Sequence, residues 1–195
     1  MPDRSARSLT KNITEGVGTT TRVFFAVWPD NAAQAQMTGL KKRLDLASLC
    51  NGRETKAENI HLTLAFVGDV EPNRLAVLQR VGDAVEGSGI RAFDFAIDEI
   101  RYWKHNHIVY AAPTSIPPEL PGLVNALSDG LSAAGFSLER RTYAPHITLM
   151  RNASCQVLPK LPEPVVWRVR QWMLIKSELA SDGSVYSPIG RWRLA

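Results

Sequence analysis

The sequence predicts an α+β protein built largely on antiparallel sheets, and three observations carry that prediction. Strand-like and helix-like segments alternate irregularly, without the steady strand–helix–strand rhythm of a doubly wound parallel sheet. Several strand candidates are separated by short turn signals, as hairpins are. One four-letter word is also written twice, HLTL at 61–64 and HITL at 146–149, each time after a helical segment. The chain has 195 residues, 45% of them hydrophobic, which suits two small lobes sharing one cleft better than two independent domains. Residues 1–21 read as a polar, flexible leader and 22–195 as the folded domain.

RVFFAVW (22–28) is rich in β-branched and aromatic residues and reads as a buried strand closed by Pro29 and Asp30. Asp30 is placed to cap the next helix, in which Ala33, Met37, Leu40 and Leu44 recur at helical spacing. NIHLTLAFVG (59–68) alternates like a strand. A second helix runs from about Pro72 to Val85, with Leu75, Leu78, Val81 and Val85 on one side. FDFAIDEIRYW (93–103) and HIVYAAP (107–113) follow as two strands turned through KHN. A third helix, Glu119 to Ala134, buries Leu120, Leu123, Leu127 and Leu131, and Gly135 is placed to cap its end. PHITLM (145–150) is again a strand, and VVWRVRQWMLIKSEL and SVYSPIGRWRL form a hairpin through Ala-Ser-Asp-Gly.

Composition narrows the partners. No apolar run reaches the length needed to span a bilayer, and the first twenty residues lack the apolar centre of a secretory signal. Cys50 and Cys155 share no metal-type or redox spacing, so no disulfide framework is predicted and a reducing cytoplasm is the expected location. The net charge of +4, without a dense basic block, favours a phosphate-bearing ligand over a long duplex. His105 and His107 form H-x-H, but Lys104 and Asn106 beside them supply no carboxylate or thiolate, so a solvated turn is predicted. Trp28, Trp103, Trp167, Trp172 and Trp192 read mostly as core or sheet-face residues, with one of them, or Tyr143, available to stack on a base. LERR (138–141) reads as a solvated turn that can extend a positive rim toward Arg151.

The spelling of the repeated word has a physical reason. Side chains alternate across a strand, so His61 and Thr63 share one face while Ile60, Leu62, Leu64 and Phe66 share the core face. His146 and Thr148 repeat this opposite Ile147 and Leu149. One such word alone is an ordinary strand. Two, with matching parity, let each lobe contribute half of one site. Two imidazoles suit in-line displacement at phosphorus: a neutral ring takes a proton from the attacking oxygen and an imidazolium gives one to the departing oxygen. Both forms are accessible near the unperturbed histidine pKa of about 6.5. Hydrogen-bond reach at each end puts the ring nitrogens roughly 6–8 Å apart. Threonine hydroxyls beside them donate to the non-bridging oxygens, and no step requires a metal.

RVFFAVWPD, AENIHLTLAFVGDV, RRTYAPHITLMR and the SEL…Y…RW pattern near the end resemble the RNA 2′,3′-cyclic phosphodiesterases over roughly 22–194. These are also called 2′-5′ RNA ligase-like proteins, of the two-histidine (2H) phosphoesterase superfamily. The resemblance implies a bilobal α+β fold with pseudo-two-fold symmetry, antiparallel sheets lining a central cleft and helices outside. It implies hydrolysis of a 2′,3′-cyclic phosphate at RNA or oligonucleotide ends to a 2′-phosphate, with 2′-5′ joining as the reverse reaction. By motif position His61 becomes the proton donor and His146 the acceptor, with Thr63 and Thr148 on the phosphate. Arg151 matches a phosphate-holding arginine, although strict alternation puts it on the core face with Leu149 unless a bulge or strand end follows Met150. Tyr143 stands where relatives usually have phenylalanine. No cofactor, membrane or obligate protein partner is expected, and a monomer is. The alternatives are a small cyclic nucleotide or ADP-ribose cyclic phosphate as substrate, or a protein that binds RNA ends without turnover.

Overall fold

The computed structural model describes residues 20–43, 45–139, 141–181 and 183–195; all of the expected leader but Thr20 and Thr21, together with Leu44, Arg140 and Asp182 of the expected Ala-Ser-Asp-Gly turn, lies outside them. In chain order the elements are β1 (Thr21–Val27), α1 (Asn31–Arg43), α2 (Leu46–Leu49), β2 (Cys50–Glu54), β3 (Leu62–Val70) and α3 (Leu75–Glu86). Then come β4 (Phe93–Ile97), β5 (Glu99–Trp103), β6 (Ile108–Ala112), α4 (Glu119–Ala133), β7 (Ile147–Cys155), β8 (Val165–Val169), β9 (Gln171–Ala180) and β10 (Gly183–Arg193). Every strand pairing is antiparallel. Eight strands form one sheet, ordered β10-β9-β1-β3-β7-β6-β5 with β2 also on β7, while β4 and β8 form a separate pair.

The large sheet is two halves joined end to end. β10, β9, β1 and β3 make one half, and β7, β6, β5 and β2 the other. Among the described residues, β3 and β7 share the single register pair Leu62–Ile147, both fully buried. On β1 the side chains of Val23, Phe25 and Val27 enter the main core. Phe24 and Ala26 face the other way, into a small cluster with Met173, Ile175, Trp28 and Tyr186.

Local chemistry explains the helices. The Asp30 carboxylate accepts from the Ala33 N–H at 2.8 Å, capping α1, whose Ala33, Met37 and Leu40 are buried as the spacing predicts. α4 ends where Gly135 takes φ 77°, and the Phe136 N–H turns back to the Leu131 carbonyl at 3.0 Å. Three expectations change. The strand predicted over 93–103 breaks at Asp98, because its first part pairs with β8 and its second with β6. VVWRVRQWMLIKSEL divides at Arg170 for the same reason, while its last part and β10 form the predicted hairpin. Finally, Cys50 and Cys155 are bonded as a disulfide. The polar segment CNGRE shows no strand periodicity, yet it pairs with β7 in the register that sets Cys50 opposite Cys155.

Candidate active site

His61 and His146 each stand one residue before a strand, at the place where the two halves of the sheet meet. Carrying the Leu62–Ile147 register one residue each way puts His61 across from Thr148 and Thr63 across from His146. These four residues alternate with the buried Leu62 and Ile147, so they share the opposite, groove face. His61 and His146 are thus diagonal neighbours, a relation that sets residues roughly 7–8 Å apart, with their Cβ atoms somewhat closer. The two cavities of the groove follow the same crossing. One, of about 320 Å³, is lined by His146 and Thr63 with Trp103, Phe66 and Tyr143. The other, of about 240 Å³, is lined by His61 and Thr148 with Arg53, Arg151 and Tyr186.

The imidazoles are oriented in the same way. His61 Nδ1 lies 2.7 Å from the Asn59 carbonyl oxygen and His146 Nδ1 lies 2.8 Å from that of Ala144, in both cases two residues back. A carbonyl can only accept, so Nδ1 carries the hydrogen and the neutral ring keeps its lone pair on Nε2. The Thr63 hydroxyl, 3.1 Å from His61 Nε2, donates to that lone pair. Aromatic rings wall both sites. Trp28 stacks on His61 at 4.9 Å and 17°, and Tyr186 meets it edge-on at 5.3 Å. Trp103 and Tyr110 meet His146 edge-on at 4.6 and 5.8 Å.

This enclosure controls protonation. Burial pulls the His61 pKa down to about 4 against the opposing Asn59 carbonyl, and the charges of Arg151 and His146 push the same way. Burial also lowers the His146 pKa against the Ala144 carbonyl, with Arg141 and Arg151 adding to it. Both imidazoles therefore feel the guanidinium of Arg151.

Arg151 reaches the groove because β7 does not alternate strictly. Tyr110 pairs with Thr148 and Val109 with Met150, so Leu149 is the extra residue of a bulge. Leu149 and Met150 are both buried, and Arg151 emerges exposed beside Thr148. Bulges in β3 have the reverse effect on Phe66. It was expected in the core, but it is 53% exposed and lines the groove because the register skips Leu64 against β1. Tyr143 is half-buried, and its hydroxyl donates to the Thr63 carbonyl at 2.9 Å, which ties the two words together.

Trp167, Trp172 and Trp192 are core residues as predicted, but Trp28 and Trp103 are walls of the site. Their role depends on which strands pair, and one sequence does not print that. The Asn59 side-chain amide donates to the Ser184 carbonyl at 2.8 Å, fastening the β9–β10 hairpin beside the groove. The H-x-H segment is a turn, in which His107 Nδ1 lies 3.2 Å from the Ala153 carbonyl. Among the described residues, no group of three or more His, Cys, Asp or Glu side chains could hold a metal ion.

The sequence pattern of the family described as LigT like Phosphoesterase matches residues 27–110. The RNA 2′,3′-cyclic phosphodiesterase of Escherichia coli K12 is 31% identical over 146 residues, which cover 73% of this chain and 80% of that protein. The crystal structure of E. coli LigT in apo form superposes with a TM-score of 0.80 at 27% identity, covering 91% of this chain and 99% of that one. E. coli LigT complexed with 3′-AMP gives a TM-score of 0.80 at 28% identity, with 90% and 99% covered.

Proposed function

Since this chain belongs to the LigT-like phosphoesterase family, we propose that it hydrolyses a 2′,3′-cyclic phosphate at RNA ends to a 2′-phosphate by two-histidine acid–base catalysis. By its membership it is an enzyme, a phosphoric diester hydrolase. One observation carries the mechanism: two imidazoles from two halves of one sheet, each with Nδ1 held by the carbonyl two residues back, so that Nε2 is the nitrogen for proton transfer.

In the reaction, His146 Nε2 takes a proton from water as the water oxygen bonds to phosphorus. The bond from phosphorus to O3′ breaks, and His61 delivers its proton to that oxygen. O2′ keeps the phosphate. Thr63, Thr148 and Arg151 bind the non-bridging oxygens, where charge accumulates. With burial holding its pKa near 4, His61 is neutral in the empty site at neutral pH. The anionic diester offsets the Arg151 charge and favours the imidazolium, so substrate charges its own acid. An RNA 5′-hydroxyl in place of water, with the steps reversed, forms a 2′-5′ linkage.

Incubation of an oligonucleotide ending in a 2′,3′-cyclic phosphate, with EDTA present, tests the reading. The expected product carries a 2′-phosphate and a free 3′-hydroxyl. An intact end would leave only a binder of RNA ends, and a 3′-phosphate product would reverse the donor geometry.

A further inference from the structure

We propose that the half of the sheet carrying His61 extends beyond the reacting phosphate as a binding track for the RNA strand 5′ of the terminal nucleotide, centred on Arg170 and Arg193. This rests on the reading above in one respect: the acid that protonates O3′ stands on the ribose side of phosphorus, so the strand leaves the site across its own half of the sheet.

A third cavity, of about 690 Å³, begins where that path leads. Trp28 is its partition from the catalytic groove, since the same ring stacks on His61 at 4.9 Å and lines the cavity. The size falls within the range of ligand-binding clefts. Three arginines, Arg168, Arg170 and Arg193, line it against one acidic side chain, Asp30, whose carboxylate caps α1. Arg168 is paired with Asp94 at 3.4 Å. Arg170 and Arg193 are exposed, and among the described residues neither guanidinium has a hydrogen bond or ion pair. The nearby Glu86 accepts from the Arg193 main-chain N–H at 2.6 Å.

The two guanidiniums line one cavity from neighbouring backbone positions. Arg193 pairs across the hairpin with Gln171, and the Arg170 carbonyl accepts from the Leu194 N–H at 2.9 Å. A phosphate in that cavity can take charge-assisted hydrogen bonds from either guanidinium. The sheet face leading there is the groove face itself. Ala26 pairs with Thr63 and with Met173, Met173 with Arg191, and the next pair on the same face is Gln171 with Arg193, both of which line the cavity. From the histidine outward the strand thus meets an aromatic ring, a short apolar floor, and then arginines. That order suits a base and ribose followed by phosphodiesters. On the His146 side, the described residues of the cavity include one arginine, Arg141, together with Glu139.

The test compares kcat/KM on a 2′,3′-cyclic mononucleotide with that on a single-stranded oligonucleotide of the same 3′ terminus, in the wild type and in Arg170→Ala/Arg193→Ala. The wild type should prefer the oligonucleotide, and the double variant should lose about tenfold of that preference. The log–log salt slope for the oligonucleotide should flatten by about 1.4, at about 0.7 for each phosphate that is no longer neutralised. Arg170→Lys/Arg193→Lys should restore most of it. Equal preference and slope in wild type and the alanine variant would overturn the track. Should the wild type turn over neither substrate, the reaction assignment fails, and anisotropy with a labelled oligonucleotide decides the track separately. Tighter binding by the wild type than by the alanine variant supports it, and equal binding removes it.

Discussion

The carbonyls of Asn59 and Ala144 set the tautomer of the two imidazoles by accepting from Nδ1–H, without adding a full negative charge. A buried ring with no carboxylate behind it stays neutral, and burial brings His61 down to about 4. That has a kinetic consequence with a definite sign. The profile of kcat/KM reports the free enzyme, where His61 loses its proton above about pH 4 and kcat/KM on the proposed mechanism declines progressively as pH rises further. The profile of kcat reports the complex, where the anionic diester raises that pKa. The high-pH limb of kcat should therefore lie at higher pH than that of kcat/KM in initial-rate measurements across pH. Superimposed limbs would mean the substrate does not charge its acid. The shared groove face of His61, Thr63, His146 and Thr148 was legible from parity, because aliphatic neighbours mark the core side of each strand. Arg151 and Phe66 were not, since bulges at Leu149 and Leu64 switch the faces after the words and alternation carries no sign of a bulge.

At the scale of elements, the helices were the most readable pieces. Asp30 and Gly135 mark ends by local chemistry that needs no partner. Strand breaks at Asp98 and Arg170 were hidden because a chain that changes sheets keeps its strand-like residues on both sides. The Cys50–Cys155 link was hidden by 105 residues of separation and by a polar strand that only pairing reveals. One close approach yields a prediction. Gly82 lies in α3 directly against the indole of Trp192, which stacks on Trp172 at 4.6 Å and donates to the Asp83 carboxylate at 2.7 Å. A methyl group at this position meets a ring with no room to turn. Gly82→Ala should therefore cost about 1–3 kcal/mol by overpacking, despite the roughly 1 kcal/mol that alanine gains in a helix. Thermal denaturation checks it, and an unchanged or raised Tm would show that Trp192 yields.

The whole molecule places two similar half-sheets so that their repeated words cross at one buried pair, Leu62 and Ile147. The kinship of the two words was legible because they match; the crossing was not, because it pairs each histidine with the other word's threonine. The net charge of +4 likewise pointed to an anionic ligand but not to its distribution, which gathers Arg168, Arg170 and Arg193 at one cavity and Arg53 and Arg151 at another. The central claim is that the two imidazoles act as one device on a single phosphorus. Its most direct test is kcat for His61→Ala, His146→Ala and the double variant on a cyclic-phosphate-ended oligonucleotide. Each single variant should fall by at least about 100-fold and the double by little more than the worse single, with folding intact. Near-wild-type turnover in either single variant, or losses that multiply in the double, would contradict the account.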